Sequence, residues 1–273
     1  MSKLRIGIVG CGAIGSSLAR SIVKNFSKDA QLTALYDIVP EKSKKLSGVV
    51  SQGKSLAVSG LIQLIDRSDL VIEAASAKVS WEIARHVLKM GRLLMVMSVG
   101  GVVAHAEKLF ELAKKHKTKA YIPSGAICGI DAIKASGIGK IKKVTLTTVK
   151  NPVSFKGVEY VEKQGIHLNN LKKDKILFFG CAKQAVKYFP QNINVAAVLS
   201  MAGIGMDKTR VKIIASPFAK KNVHEIQVEA EAGNIFSRVE NVLHPDNPKT
   251  SYLAVLSAVA ALKQILEPIK IGT

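Results

Sequence analysis

The segment IGIVGCGAIGSSLA, residues 6–19, restricts the fold more than any other part of the chain. An apolar run ends at Gly10, further glycines follow at Gly12 and Gly15, and helical apolar spacing takes over from Ala13. A glycine in a helix interior costs about 1 kcal/mol relative to alanine, so three of them at a strand–helix junction mark a close approach to something. In the pattern G-x-G-x-x-G the first glycine permits the tight turn. The second lets a pyrophosphate approach the backbone, and the third lets the helix lie close to the sheet. The helix that starts at Ala13 and Ile14 then offers N–H groups and a positive dipole end to the phosphates. Gly10, Gly12, Ala13, Ile14 and Gly15 are therefore the candidate dinucleotide-binding residues.

The second strand agrees with this reading. Asp37 stands 22 positions beyond Gly15, where a carboxylate accepts the ribose hydroxyls of NAD and repels a 2′-phosphate. Lys42, Lys44 and Lys45 follow closely and soften that repulsion, so NAD is favoured and NADP remains open. The competing role for Asp37 is to cap the short helix after Pro40.

Strand-like runs at 4–9, 32–36, 70–73, 93–97 and 119–122 alternate with helical stretches at 13–26, 40–46, 61–65, 76–91 and 105–116. This predicts an α/β architecture, a Rossmann doubly wound parallel sheet with helices on both faces. After Pro123 the texture changes. PSGAICGIDAIKASGIGK is glycine-rich and reads as a loop entering a helix, 194–202 has helical spacing, and 144–149, 211–215 and 225–230 carry β-branched alternation. These predict a second, α+β catalytic domain. The last segment, TSYLAVLSAVAALKQIL, is apolar all round at helical spacing, which predicts a buried helix packing back on the first domain. The expected division is 1–123 plus 245–273 for the dinucleotide domain, and 124–244 for the catalytic and dimerisation domain.

Composition narrows the class. Lysine and arginine number 40 against 20 acidic residues, for a net charge of +20, yet only seven are arginine and aromatics make up 5%. Nucleic-acid readers rely on arginine forks and aromatic platforms, so the charge reads as a lysine-coated surface and not as a nucleic-acid site. Cys11, Cys128 and Cys181 form no CxxC pair or metal-spaced cluster, which predicts a reducing compartment and no metal. No apolar stretch reaches 18 residues and no leader precedes the first strand, so a cytoplasmic protein with no membrane partner is expected.

Four stretches of the second half stand out: PSGAICGIDAIKAS (123–136), NINVAAVLSMAG (192–203), NVHEIQVEAEAG (222–233) and ENVLHPDNPKTS (240–251). Together with the glycine loop, VIEAAS (71–76) and SVGGV (98–102), they resemble the L-aspartate dehydrogenases that feed NAD biosynthesis. The resemblance runs from about Leu4 to Leu266. It implies oxidation of L-aspartate to iminoaspartate, reversibly linked to oxaloacetate and ammonia, in a homodimer whose partner is a small dicarboxylic amino acid. It also implies that His224, in N-x-H-E-I, is the catalytic histidine, and that Ala126 and Asn194 contact the nicotinamide end of the cofactor.

The chemistry of amine oxidation is consistent with that implication. Hydride must leave the α-carbon, and a base must take the amino proton; histidine titrates near neutrality and can do this in both directions. Of the six histidines, His86, His105 and His116 fall in helices of the first domain and His167 in a polar loop. His224 and His244 remain, and spacing alone does not separate them. The substrate's carboxylates require cations or N–H donors, for which Lys249, Thr250 and Ser251 are candidates because their segment is expected to begin a helix. His244 is the further candidate for the substrate pocket. Thr250 or Ser251 would otherwise serve only as a helix cap. Three other readings compete. A dihydrodipicolinate-reductase-like enzyme shares the PSG-type loop but carries H-H-x-x-K, and this chain has no His-His pair. A nucleotide-sensing DNA-binding protein is the rival from another class, and it needs a helix-turn-helix module for which the start of the first strand at Leu4 is expected to leave no room. A non-catalytic NAD-binding regulator is the third.

Overall fold

The computed structural model describes residues 2–51, 53–189, 194–244 and 247–272, the side chains of 247–250 excepted. The chain divides into two compact units, Met1–Pro123 with Val255–Lys270, and Ser124–Ala254 with Ile271–Thr273. The crossing back thus falls at Val255, and residues 247–254 group with the second unit.

The first unit runs β1 (Leu4–Val9), α1 (Ala13–Asn25), β2 (Ala30–Tyr36), α2 (Pro40–Val50), α3 (Leu61–Asp66), β3 (Leu70–Glu73), α4 (Ser80–Lys89), β4 (Leu93–Val96), α5 (Ala106–Lys115) and β5 (Ala120–Tyr121). The five strands are all parallel, in the order β2-β1-β3-β4-β5. Every residue of β3 is buried, as are Ile6 to Val9 of β1, so these strands read as continuous apolar runs because both faces are covered. Strand order reverses between β1 and β3. Ligands of open α/β sheets sit outside the carboxyl ends of the strands at such a reversal.

The second unit runs α6 (Ile130–Ser136), β6 (Ile141–Lys150), α7 (Glu159–Lys163), β7 (Lys175–Cys181), α8 (Ala182–Tyr188), α9 (Asn194–Ala202), β8 (Arg210–Ala215), β9 (Asn222–Ala230), β10 (Gly233–Asn241), β11 (Leu243–His244), β12 (Asn247–Ser251) and the start of α10 (Tyr252–Leu266). Its main sheet has the order β10-β9-β6-β8-β7; β6 and β8 are parallel and the other pairs antiparallel. Val144, Leu146, Val211, Ile213, Ile226 and Val228 are buried on one face. β11 and β12 form a separate two-stranded ribbon.

Three expectations change. β9 starts at Asn222, so His224 lies inside a strand and not before it. β7 and β10 were not evident in the sequence: β7 is bulged between Ile176 and Phe178, and the inner positions of β10 are Ile235, Ser237, Val239 and Asn241, a mix of apolar and polar side chains that hides its alternation. The last helix is not buried all round. Val255, Ala258 and Leu262 form its buried stripe, and the latter two join Ile6, Leu18, Ile22 and Ile72 in one core. Tyr252 and Leu256, in contrast, are 42 and 43% exposed. A sheet-packed helix meets the core along one stripe however apolar its other sides are.

Candidate active site

Each glycine of the loop meets a distinct steric demand. Gly10 has φ of 95°, and a Cβ there would stand 2.5 Å from the Ala74 carbonyl oxygen. The loop after β1 thus crosses the loop after β3 at the point where strand order reverses. A Cβ on Gly15 would overlap the Gly10 carbonyl oxygen, so only glycine lets α1 begin this close to the turn. A Cβ on Gly12 would meet nothing within 4 Å, which leaves its surroundings open for a pyrophosphate. Gly12 also stands at the N-cap of α1 and supplies no side-chain cap, and no acidic residue occupies the first turn. The backbone at Ala13 and Ile14 therefore keeps its positive character for an anion.

Asp37 ties this loop down. Its Oδ2 accepts the Cys11 N–H at 2.7 Å, and its Oδ1 accepts the Val39 N–H at 2.9 Å. Val39 is the N-cap of α2 and receives no side-chain cap of its own, so Asp37 braces the turn rather than capping the helix. Burial, aided by the Asp37 carboxylate, pushes the Cys11 thiol up to about 12, while the Lys42 ammonium opposes this. The Cys11 sulfur is therefore an inert thiol, and Lys42 lies within electrostatic reach of the loop. Glu73 is a second brace that its motif did not reveal. Fully buried at the end of β3, it accepts the Ala75 N–H at 2.9 Å and the Ser98 N–H at 2.9 Å, joining the VIEAAS and SVGGV loops. Burial raises its pKa, and those backbone donors pull it back.

In the second unit, the buried face of the main sheet turns polar at one end. His224 is 3% exposed, and its Nδ1 lies 3.0 Å from Thr148 Oγ1, directly across β9 and β6. Nε2 makes no hydrogen bond among the described residues. Lys150 follows on the same face of β6 and is 7% exposed. Burial, and then the Lys150 ammonium, push His224 down from the usual 6.5 to about 3. Burial alone lowers Lys150 from 10.5 to about 8. At neutral pH the histidine is thus a neutral ring held in place by a hydroxyl, beside a buried cation.

The other candidates are placed as follows. Ala126 is buried, and its carbonyl oxygen accepts from Asn241 Nδ2 at 3.0 Å, which fastens the PSGA loop to the end of β10. Asn194 is the exposed first residue of α9; Asn192 and Ile193 lie outside the described residues. His244 is buried on β11 with its ring edge-on to Tyr252, centroids 5.6 Å apart. The Lys249–Ser251 segment is the end of β12, paired with β11, and leads directly into α10, so Ser251 immediately precedes that helix. Ser251 is buried, and the side chains of Lys249 and Thr250 lie outside the described residues. Thr148, Lys150, Asn222 and Asn241 were not singled out from the sequence. The signal for Lys150 is its parity: it follows Val144, Leu146 and Thr148 at period two, on the face where a strand hides apolar side chains. Among the described residues there is no cluster of metal-binding side chains, and no helix is long and apolar enough to cross a membrane.

Comparison with known proteins gives this geometry a family. Residues 131–265 match the family model of the aspartate dehydrogenase C-terminal domain, and residues 10–123 that of the homoserine dehydrogenase NAD-binding domain. The L-aspartate dehydrogenase of Methanosarcina mazei is 47% identical over 272 residues, covering 99% of this chain and all of the relative. That of Methanosarcina barkeri is 45% identical with the same coverage. Among solved structures, aspartate dehydrogenase from Thermotoga maritima superposes with a TM-score of 0.73 at 23% identity, over 99% of this chain and 100% of that one. A hyperthermophilic archaeal homoserine dehydrogenase in complex with NADPH shares the fold with a TM-score of 0.58 at 13% identity, over 96 and 98%. A chain that matches such relatives from end to end belongs to the L-aspartate dehydrogenase family and is an oxidoreductase that uses NAD or NADP.

Proposed function

We propose that the protein oxidises L-aspartate to iminoaspartate, reversibly linked to oxaloacetate and ammonia, that the reaction supplies NAD biosynthesis, and that the protein works as a homodimer. The observation that carries this reading is His224: buried, oriented by Thr148, and neutral at working pH. With Nδ1–H donating to Thr148 Oγ1, the lone pair on Nε2 takes the amino proton and returns it in the reverse direction. The bound dinucleotide supplies the hydride acceptor for the α-carbon. The Lys150 charge that helps to hold His224 down is offset when a carboxylate of the substrate arrives, which strengthens the ring as a base once substrate is present. Ala126 and Asn194 keep the roles that the resemblance implies.

Backbone groups of the glycine loop and the start of α1 would hold the pyrophosphate, and Asp37 the adenosine ribose. The carboxylate favours the 2′-hydroxyl of NAD, and Lys42 softens its repulsion of a 2′-phosphate. Exposed Ile176, Phe179 and Phe236 on the outward side of the second sheet supply apolar area for pairing two copies. The test is NADH consumption with oxaloacetate plus ammonium, set against oxaloacetate alone and dihydrodipicolinate. Ammonium-dependent consumption is expected. Turnover of dihydrodipicolinate, or of oxaloacetate without ammonium, overturns the reading. Sedimentation velocity reads the dimer separately.

A further inference from the structure

We propose that the Lys150 ammonium is the cation that seats a carboxylate of the substrate, at one end of a transverse row of buried polar side chains formed by Lys150, Asn222 and Asn241. This rests on the aspartate dehydrogenase reading and names the group that recognises the acid.

The row follows from strand register. Asn241 pairs with Asn222 across β10 and β9. β9 and β6 pair His224 with Thr148 and Val223 with Val149, so the next step along the same ladder sets Asn222 beside Lys150. Lys150 is then the diagonal neighbour of His224 on the same face, a separation of about 7–8 Å that long side chains span. A carboxylate held by Lys150 therefore places the amino group of the same small molecule within reach of the histidine.

Two further observations point to a ligand. Among the described residues Lys150 is the sole buried lysine or arginine, in a chain that carries 40 of them. It continues the parity of Val144, Leu146 and Thr148, so β6 carries a cation on its buried face, next to His224. At the far end of the row, Asn241 is 2% exposed. Its Nδ2 is spent on Ala126, and its Oδ1 has no hydrogen-bond partner among the described residues. The row thus ends in a buried acceptor suited to a donor that the described residues do not provide.

The experiment compares wild type with Lys150→Met and Lys150→Arg, using succinate as a probe that carries two carboxylates and no amine. Succinate affinity is measured by calorimetry with NADH present, NADH affinity is measured alone, and KM and kcat are obtained for L-aspartate. Lys150→Met is expected to weaken succinate and raise KM by about 10- to 100-fold, the worth of a charge-assisted hydrogen bond, with NADH affinity unchanged. Lys150→Arg recovers part of the loss. Unchanged succinate affinity and KM in a folded Lys150→Met protein overturn the proposal. So does a change confined to the pH profile of kcat, which would mean that Lys150 only tunes His224. Should Lys150→Met not fold, acetylation of Lys150 in the wild type, followed by peptide mass spectrometry, decides: slowing by succinate supports the seat, and an equal rate rejects it. Absence of aspartate turnover in the wild type would instead count against the parent reading, and the succinate measurement would still report on Lys150.

Discussion

Thr148 Oγ1 and His224 Nδ1 lie 3.0 Å apart across two antiparallel strands, joining residues 76 positions apart in the chain. That contact engages Nδ1 and, in the proposed reaction, leaves Nε2 to act as the base. His224→Ala is expected to lower kcat by about 10² to 10⁴, the usual size of general acid–base help, with NADH affinity retained. Thr148→Val keeps the ring but frees its orientation, and a loss of about tenfold is expected, confined to kcat. His244 packs against Tyr252, so His244→Ala should affect thermal stability more than turnover. Steady-state kinetics on the three folded variants check the ranking; near-normal turnover in His224→Ala rejects the histidine assignment.

The glycine loop separates binding from folding. Gly12→Val places a side chain in open space, so the thermal midpoint should hold while NADH affinity falls at least about 100-fold. Gly15→Ala drives a methyl into the Gly10 carbonyl and should lower stability by about 1–3 kcal/mol. Calorimetric titration with NADH and denaturant unfolding read the two effects; unchanged NADH affinity in a folded Gly12→Val protein would falsify the loop assignment.

Asp37→Ala removes both the proposed ribose ligand and the brace on Cys11 N–H. The ratio of kcat/KM for NAD over NADP is expected to fall by about tenfold or more, with Lys42 free to favour a 2′-phosphate. NAD affinity itself should also weaken, because the loop loses its anchor. A cofactor ratio that does not move would leave Asp37 as a brace alone.

Stability should depend on pH through the same buried pair. His224 titrates near 3 in the fold against 6.5 ordinarily, so between those values the unfolded chain binds the extra proton. The stability from the neutral buried ring is complete above about 6.5 and drains away as pH falls toward 3. Lys150, lowered from 10.5 to about 8, adds a second window in which stability rises with pH from 8 to 10.5. Thermal midpoints measured from pH 3.5 to 10 should show both slopes. His224→Gln should flatten the lower one and Lys150→Met the upper; parallel curves for wild type and variants would contradict the assignment.

The nucleotide loop was legible in the sequence because its physics is local. A strand, a turn and a helix within residues 6–19 impose steric demands that only glycine meets, and the fold places Gly10, Gly12 and Gly15 as those demands require. The buried parallel strands were legible for a similar reason, since burial on both faces leaves an unbroken apolar run. The polar end of the second sheet was not. Thr148, Lys150, Asn222, His224 and Asn241 come from three strands, and no short window contains more than two of them. Their meeting depends on register, which is set when each strand hides its apolar side, because a slip of one residue would turn every side chain to the opposite face. The same holds for the strand character of Lys249–Ser251, which comes from pairing with β11 just before α10 begins. Sequence thus determined the local geometry of the glycine loop and named the histidine through family likeness. The hydroxyl, the cation and the two amides around that histidine were decided only when the strands paired.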